Sequence, residues 1–210
     1  MTFSPDDFMR DTNVPRETLA SLEAYAALLM KWQPSKNLVS NSTLNEMWLR
    51  HFYDSAQLLP LIRACHGDKP LKCLDIGSGA GFPGLVLAIM GVGEVTMVES
   101  NGKKCSFMRQ VVMATGAKAT IENERIEKLV APKMDILLSR ACAPITQLLS
   151  WGENFIGENT EFWLLKGANA EQELKAAKAD WTMQVDQYKS KSDGSGNILR
   201  LKNIHRLKSS

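Results

Sequence analysis

The stretch LKCLDIGSGAGFPG, residues 71–84, decides the fold of this chain. It begins with an apolar run, Leu71 to Ile76, that has the length of a buried strand. Glycines follow at 77, 79 and 81, and Pro83 with Gly84 opens an apolar segment that continues to Met90. Proline fits the first turn of a helix, and glycine lets a ligand approach the backbone closely. The stretch therefore predicts a strand, a glycine turn and a helix whose free N–H groups face a nucleotide-like cofactor.

The composition is that of a globular protein. The chain has 210 residues, of which 44% are hydrophobic, enough to bury the core of one domain with an extension. The sequence begins without the basic and apolar segments of a secretory signal, and no apolar run approaches the roughly 18 residues of a membrane span. Four cysteines, at 65, 73, 105 and 142, form no Cys-x-x-Cys pair. We expect a cytoplasmic monomer with reduced, mostly core thiols and no metal site.

The charge gives a weak signal for nucleic acid. A net charge of +2 does not favour binding through bulk charge. Cations nevertheless concentrate after residue 185, where six of them stand against two carboxylates. Such a segment can help to hold a polyanion, although solvated surface is its commoner role. The six cations are Lys189, Lys191, Arg200, Lys202, Arg206 and Lys208.

The first part of the chain carries helical signals. A helix entry at residues 14–17 leads into apolar residues with the 3.6 period, from Leu19 to Leu29. We expect a break at Pro34 to Asn37, then helices from Leu44 to about Trp48 and from Ser55 to Ala64. The polar turn at residues 65–70 predicts the boundary between a helical N-terminal extension, residues 1–69, and a second part, residues 70–210.

The second part alternates between strand and helix patterns. Such alternation predicts an α/β, Rossmann-like fold with a mostly parallel, seven-stranded sheet and helices on both faces. The last two strands flank a turn-rich loop and predict a closing antiparallel hairpin. The expected strands are Leu71–Ile76, Glu94–Glu99, Lys118–Glu122, Met134–Ser139, Glu161–Lys166, Trp181–Tyr188 and Asn197–Ile204. The expected helices are Pro83–Met90, Gly102–Thr115, Ile145–Gly152 and Ala168–Ala179.

The register of the glycines indicates which cofactor they serve. The dinucleotide pattern G-x-G-x-x-G occurs at residues 79–84, but its first glycine does not follow the strand directly. The pattern that fits the strand end is Asp75-x-Gly77-x-Gly79-x-Gly81. A carboxylate there is unfavourable beside a pyrophosphate and favourable beside the ammonium of an amino acid. The register therefore favours S-adenosylmethionine over NAD.

Two carboxylates are candidate contacts of this cofactor. Glu99 ends the second strand, 22 residues after Gly77, where a carboxylate can accept both ribose hydroxyls. Asp75 could orient the methionine end, directly or through water, or could instead bond to the backbone of its own loop.

Several separated motifs resemble one family. The segment LDIGSGAGFPG resembles motif one of class I methyltransferases. Its Phe-Pro-Gly ending, together with the motifs listed last, resembles the glucose-inhibited division protein B family, the bacterial small-subunit rRNA guanine-N7 methyltransferases. The resemblance covers nearly the whole chain. The further motifs are Ser139-Arg140-Ala141, Leu165-Lys166-Gly167, Lys31-Trp32, Asn37-Leu38-x-Ser40 and Arg50-His51-x-x-Asp54-Ser55.

The resemblance implies transfer of a methyl group from S-adenosylmethionine to N7 of a guanine, position 527 in the 530 loop of 16S rRNA, with the small ribosomal subunit as partner. It also implies cofactor contacts through Ile126 and Glu127 after the third strand and through Arg140 after the fourth. The full set expected at the cofactor is Asp75, Gly77, Ser78, Gly79, Gly81, Phe82, Glu99, Ile126, Glu127 and Arg140. Candidates for the RNA face, each of which could equally be solvated surface, are Lys31, Asn37, Arg50, His51, Lys103, Arg109 and Lys166.

The expected reaction needs no general base. Guanine N7 has an in-plane lone pair and no proton, so positioning can supply most of the acceleration. Arg140 is expected to support it by binding the cofactor carboxylate or an RNA phosphate, unless it only pairs with a carboxylate such as Asp75 or Glu127. Cys142 follows alanine and is interpreted as a core thiol. An NAD-linked oxidoreductase, a non-catalytic RNA-binding module and a methyltransferase with another RNA, protein or small-molecule acceptor remain alternatives.

Overall fold

The computed structural model describes residues 2–140 and 142–207. The first strand, β1 (Leu71–Ile76), and helices α6 and α7 have the predicted bounds. The other strands are β2 (Gly93–Val98), β3 (Ala119–Glu122), β4 (Met134–Arg140), β5 (Ile156–Lys166), β6 (Trp181–Lys189) and β7 (Asn197–Arg206). The α-helices are α1 (Pro5–Thr12), α2 (Arg16–Lys36), α3 (Asp54–Ala56), α4 (Leu58–His66), α5 (Gly84–Ile89), α6 (Gly102–Thr115), α7 (Ile145–Gly152) and α8 (Ala170–Ala177).

The strands form one seven-stranded sheet in the order β3-β2-β1-β4-β5-β7-β6. Strands β1 to β5 are parallel, whereas β7 lies antiparallel between β5 and β6. The predicted α/β fold with a mostly parallel sheet and a closing hairpin is confirmed. The carboxyl ends of β1, β2, β4 and β5 therefore meet at one edge, where an open α/β sheet binds its ligands.

The two faces of the sheet bury separate cores because successive side chains of a strand point to opposite faces. Ile136 and Leu138 of β4 face the helices before residue 116, whereas Leu137 faces α7 and α8. Helices thus cover both faces, as the alternation predicts.

The N-terminal helices share a core with the sheet. Tyr25 of α2 stacks on Phe82 after the glycine turn, with 5.1 Å between the ring centroids. The Tyr25 hydroxyl donates a hydrogen bond of 2.6 Å to the carbonyl of Ala80. The sequence boundary at residues 69 and 70 falls just before β1, but the helical extension packs directly on the glycine loop.

One expectation for the N-terminal part is met and one is wrong. Helix α2 passes Pro34 but ends within the expected break, at Lys36, with Asn37 in the left-handed conformation. The Gln33 side chain accepts hydrogen bonds from the backbone N–H groups of residues 38 and 39, which stabilises the turn that follows. The expected helix from Leu44 to Trp48 is instead a 3₁₀ helix, Asn41–Glu46, followed by a π-helical segment, Trp48–Tyr53. The wider π-helical turn is fixed by long-range contacts of its side chains, which a local pattern does not show.

Smaller differences concern element ends. The helix expected at Ser55–Ala64 is divided at Gln57 into α3 and α4. Strand β5 begins at Ile156 rather than Glu161. The sequence prediction missed this start because Glu158 and Asn159 are polar and exposed and interrupt the apolar pattern of a strand. None of these differences moves the carboxyl edge of the sheet.

Candidate functional site

A cavity of about 380 Å³ opens at the carboxyl edge of the sheet, above β1 and β2. We call it the glycine-loop cavity. Six of the ten residues predicted at the cofactor line it: Gly77, Gly79, Glu99, Ile126, Glu127 and Arg140. The structure thus brings residues from four separate strand ends to one surface.

Gly77 and Glu99 shape this cavity. Gly77 has a φ of +69°, and a Cβ there would lie 2.1 Å from Sγ of Cys142, so only glycine fits without a shift. The Glu99 carboxylate accepts hydrogen bonds from the backbone N–H groups of Gly79, at 3.0 Å, and Asn101, at 2.8 Å. A carboxylate can accept about four hydrogen bonds. Each Glu99 oxygen accepts one here, so each can still accept a hydrogen bond from a hydroxyl group of a ligand.

Four of the predicted cofactor residues do not line the cavity: Asp75, Ser78, Gly81 and Phe82. Asp75 is 0% exposed, and its Oδ2 accepts a hydrogen bond of 2.9 Å from the Gly84 N–H. Burial raises the pKa of the Asp75 carboxyl to about 7, and the bond from Gly84 opposes that rise. Among the described residues, Asp75 Oδ1 has no hydrogen-bond partner. The four residues therefore lie beneath the cavity surface, where they can stabilise the glycine loop without contacting a ligand directly.

The sequence interpretation of Cys142 is wrong. Its side chain is exposed and lines the glycine-loop cavity instead of lying in the core. Cys65 is exposed too, so only Cys73 and Cys105 are buried thiols. Cys142 follows the end of β4 and could have been found from the rule that ligands meet the carboxyl ends of strands. The other lining residues absent from the prediction are Ile76, Val98, Ser100, Lys104, Glu124, Arg125 and Trp151, of which Trp151 carries no sequence signal.

A second cavity, of about 360 Å³, lies beside the first. Its walls come from residues 40–54, from the end of β5 and from the β6–β7 loop; we call it the hairpin cavity. Among the described residues, Arg140 is the only one that lines both cavities. The guanidinium of this residue therefore stands at the junction.

Arg140 is held from one side. Its Nη1 donates to the carbonyl of Arg50 and to Nδ1 of His51, both at 3.1 Å, and lies 3.5 Å from Oδ2 of Asp54. The guanidinium also lies over the Phe82 ring, 5.0 Å from its centroid. The carboxylate that pairs with Arg140 is therefore Asp54, and neither of the two named as examples, Asp75 and Glu127, does so. Within the described residues Nη2 and Nε donate no hydrogen bond, which leaves them for a ligand.

His51 is a neutral wall of the hairpin cavity. Because a guanidinium can only donate, Nδ1 of His51 accepts, and its Nε2–H donates to Thr43 Oγ1 at 2.8 Å. Burial, with the nearby charges of Arg140 and Arg50, lowers the pKa of His51 to about 3. The ring therefore carries no charge at neutral pH.

The β6–β7 loop closes the hairpin cavity over the π-helical segment. Asp193 forms an ion pair of 2.9 Å with Arg50. Ser192 Oγ donates to Asp54 Oδ1, and Gln57 Nε2 donates to the same oxygen at 3.0 Å. The loop and the segment thus hold one another in place through polar contacts.

The predicted RNA-facing residues divide into two groups. Arg50, His51 and Lys166 line the hairpin cavity, where Lys166 Nζ lies 2.8 Å from Glu173 Oε2. The remaining four are exposed outside both cavities: Lys31, Asn37, Lys103 and Arg109. The structure brings only the first group together.

The basic segment near the end of the chain is partly neutralised. Arg200 pairs with Glu161 and Asp186, and Lys202 lies 2.9 Å from Asp186. Lys208 lies outside the described residues. The excess of cations counted in the sequence is therefore only in part available to a polyanion.

The described residues show neither a metal-binding cluster nor a membrane-spanning helix. Within residues 2–140 and 142–207, no group of three His, Cys, Asp or Glu side chains is arranged to hold a metal ion. In the same ranges no helix has both the length and the apolar character needed to cross a membrane.

Solved structures similar to this chain include methyltransferases. Magnesium protoporphyrin IX methyltransferase from Synechocystis, with bound S-adenosylmethionine, has a TM-score of 0.61 at 13% identity, over 85% of this chain and 97% of that chain. A ribosomal protein L11 methylase from Lactobacillus delbrueckii has a TM-score of 0.57 at 16% identity, over 72% and 78%. Identities this low show the fold alone, and that fold is the class I methyltransferase fold.

Sequence relatives define the family. Proteins called ribosomal RNA small subunit methyltransferase G from Rhodospirillum centenum and Rhodospirillum rubrum are 46% and 43% identical to it, each over 97% of this chain and over 92% and 99% of the relatives. Residues 18–199 match the family described as GidB, rRNA small subunit methyltransferase G. The chain belongs to this family, as the motifs predicted.

Proposed function

We propose that this chain transfers a methyl group from S-adenosylmethionine to N7 of a guanine in the small-subunit ribosomal RNA, at position 527 of the 530 loop. Family membership supports the reaction and the acceptor. The observation that carries the proposal is the junction of two cavities at Arg140, one suited to the cofactor and one open for an acceptor.

The glycine-loop cavity fits S-adenosylmethionine. Glu99 offers acceptors for the ribose hydroxyls, and Ile126 gives an apolar wall for the adenine. Asp75 is fully buried and does not line the cavity, so it would act on the ammonium end through the glycine loop or a water molecule. Arg140 Nη2 and Nε can bind a carboxylate or an acceptor oxygen. Glu99, Ile126 and Arg140 thus offer complementary groups for the ribose, the adenine and the carboxylate.

The chain's chemistry is that of positioning. When bound, S-adenosylmethionine would supply a methyl group on a sulfonium, whose sulfur would keep the bonding electrons, and the N7 lone pair could accept this methyl without releasing a proton. Arg140, at the junction, is permanently protonated and cannot act as a base. N7 needs no base, so the reaction requires only that the two cavities hold the reactants in line.

The N-terminal helical part is proposed as the RNA-facing side, since Arg50 and His51 come from it. Action on ribosomal subunits places the protein in the cytoplasm, and we expect a monomer.

The test is transfer of tritiated methyl to small ribosomal subunits that lack the modification. We expect label in 7-methylguanosine after digestion, and none with subunits that already carry it. Naked 16S rRNA, assayed in parallel, shows which form is the substrate. Label in another nucleoside or in protein would replace the proposed acceptor, and no label despite cofactor binding measured by calorimetry would refute the proposed activity.

A further inference from the structure

The order of polar groups around the junction matches one edge of guanine. On this base O6 lies between N7 and N1–H, and the 2-amino group lies beyond N1. The cavities present, in the same order, the cofactor side, the Arg140 guanidinium and the Asp54 carboxylate. A base that turns N7 toward the glycine-loop cavity therefore brings O6 to a donor and N1–H to an acceptor. Enzymes that modify a base commonly extrude it and read this edge by hydrogen bonds.

Two carboxylates line the hairpin cavity, and only one is suited to this edge. Asp193 has a side chain that is 31% exposed and is occupied by Arg50 and by the N–H and hydroxyl of Ser195. Asp54 is more enclosed, at 17%. The Asp193 carboxylate is thus already bonded to Arg50 and to its own loop, whereas the Asp54 carboxylate is the one that a ligand in the cavity could reach.

The hydrogen bonds of Asp54 leave one oxygen available. Oδ1 accepts from Ser192 and Gln57, which fixes the plane of the carboxylate. Oδ2 faces Arg140 Nη1 at 3.5 Å, longer than a typical charged hydrogen bond. An acceptor that is oriented, enclosed and only loosely paired can take hydrogen bonds from a ligand.

We infer that Asp54 reads the target base, accepting hydrogen bonds from N1–H and the 2-amino group of guanine while Arg140 donates to O6. This inference rests on the proposed function. Adenine presents a donor at position 6 and an acceptor at N1, so it opposes both residues. Groups left unpaired in a buried site cost more than an ordinary hydrogen bond gains, and this asymmetry excludes adenine.

Asp54 also acts on the rate. Methylation at N7 places a positive charge on the base and makes N1–H a stronger donor. The bonds to the Asp54 carboxylate therefore strengthen as the methyl group is transferred, and the carboxylate offsets the repulsion between the cationic base and Arg140. Interactions that strengthen in the transition state raise kcat, whereas equal binding of both states changes KM.

The test combines a protein change with a substrate change. Small subunits are reconstituted with guanosine or with inosine, which lacks the 2-amino group, at the target position. For the unaltered protein we expect inosine to lower kcat/KM at least about tenfold. Asp54→Asn should lower kcat on guanosine at least about tenfold and reduce the inosine penalty to less than about threefold, since the lost partner no longer matters.

Two control variants separate reading from structure. Asp193→Asn alters the other carboxylate of the cavity, and Ser192→Ala removes a bond that orients Asp54; both should keep at least a fivefold inosine penalty, roughly within the scatter of such cycles. A full inosine penalty in Asp54→Asn, with equal slowing on both substrates, would show that Asp54 only supports the fold and would overturn the inference. If Asp54→Asn does not fold, Asp54→Glu, which displaces the carboxylate by one methylene, takes its place, and a full inosine penalty there overturns the inference.

The outcome also distinguishes the two levels of the proposal. If the unaltered protein methylates neither substrate, the proposed function fails and the reading role fails with it. If it methylates guanosine and inosine equally, the proposed function stands and Asp54 does not read the 2-amino group.

Discussion

The two cavities that meet at Arg140 are built in different ways. The glycine-loop cavity is formed mainly by short segments directly after β1, β2, β3 and β4, so its position follows from the sheet. The hairpin cavity joins residues 40–54 to the end of β5 and to a loop near residue 193. The position of the first is set by the fold, which brings these strand ends together at one edge of the sheet. The second comes from what this chain adds to the fold, and there its specificity is expected to lie.

The largest expected effect tests how rigid the glycine-loop cavity is. Gly77→Ala should lower the free energy of unfolding, because a left-handed alanine costs about 1–2 kcal/mol and overpacking against Cys142 about 1–3 kcal/mol. Adding Cys142→Ala should restore the overpacking part only. Urea unfolding measures both, with Gly194→Ala, in the open β6–β7 loop, as the matched control. If Gly77→Ala and Gly194→Ala unfold with the same free energy, the glycine-loop cavity is no more tightly packed at Gly77 than the β6–β7 loop is at Gly194.

Arg140→Ala tests whether the cavities work together. A hydrogen bond to a charged group contributes about 1.5–3 kcal/mol, so methyl transfer should fall at least about tenfold. Arg140→Lys keeps the charge but not the planar donors and should recover only part of the rate. Circular dichroism checks the fold. Turnover equal to that of the unaltered protein would contradict the assignment of Arg140 to the junction.

The sequence predicted the glycine-loop cavity better than the hairpin cavity, because the two cavities are built in different ways. Residues of the glycine-loop cavity follow strands, and the strand pattern with the rule of carboxyl ends located Gly77 and Glu99. The fold was accessible because the alternation of elements is a local signal. The hairpin cavity depends on contacts between residues more than 130 positions apart, such as that of Asp54 with Ser192. In sequence, Ser192 and Asp193 have the composition of an ordinary solvated loop.

The family motifs identified several residues at the two cavities but did not show what each residue contacts. Arg50 and His51 were expected at RNA, and the structure adds that His51 orients Arg140 as a neutral acceptor. Phe82 was expected at the cofactor but lies under the guanidinium of Arg140. A motif identifies which residues matter to a family, whereas only packing distinguishes a ligand contact from a support.

The pH dependence of stability sharpens the description of the hairpin cavity. The unfolded chain protonates His51 near its ordinary pKa of 6.5, whereas the folded chain does so only near about 3. Between these values the unfolded state binds more protons, so this residue makes stability fall as the pH falls. Asp75, whose pKa is raised, makes stability rise as the pH falls. A variant that alters only His51 keeps Asp75, so the contribution of Asp75 cancels when that variant is compared with the unaltered protein.

His51→Gln removes the proton and keeps an acceptor for Arg140. The difference in unfolding free energy between the unaltered protein and this variant should rise with pH in that window, by up to about 1.4 kcal/mol per unit. Urea titrations at several pH values measure it. A difference that is independent of pH would mean that the folded protein holds His51 charged.

The smallest expected effect concerns the closure of the hairpin cavity. Both partners of the Arg50–Asp193 pair are about one-third exposed, so Asp193→Asn should change the unfolding free energy by less than about 1 kcal/mol. It frees Arg50 for phosphate, and binding to the RNA should become tighter at low salt with a steeper salt dependence. Asp11→Asn, which alters an exposed pair on α1, is the control. Identical RNA affinity in both variants would show that the pair does not compete with RNA.

The position of the hairpin also sets an order of events during synthesis. Every residue that lines the glycine-loop cavity precedes residue 152, whereas the hairpin cavity requires residues up to 197. All residues of the glycine-loop cavity are therefore translated before the last residues of the hairpin cavity. The hairpin cavity can thus form only after almost all of the chain described here has been translated.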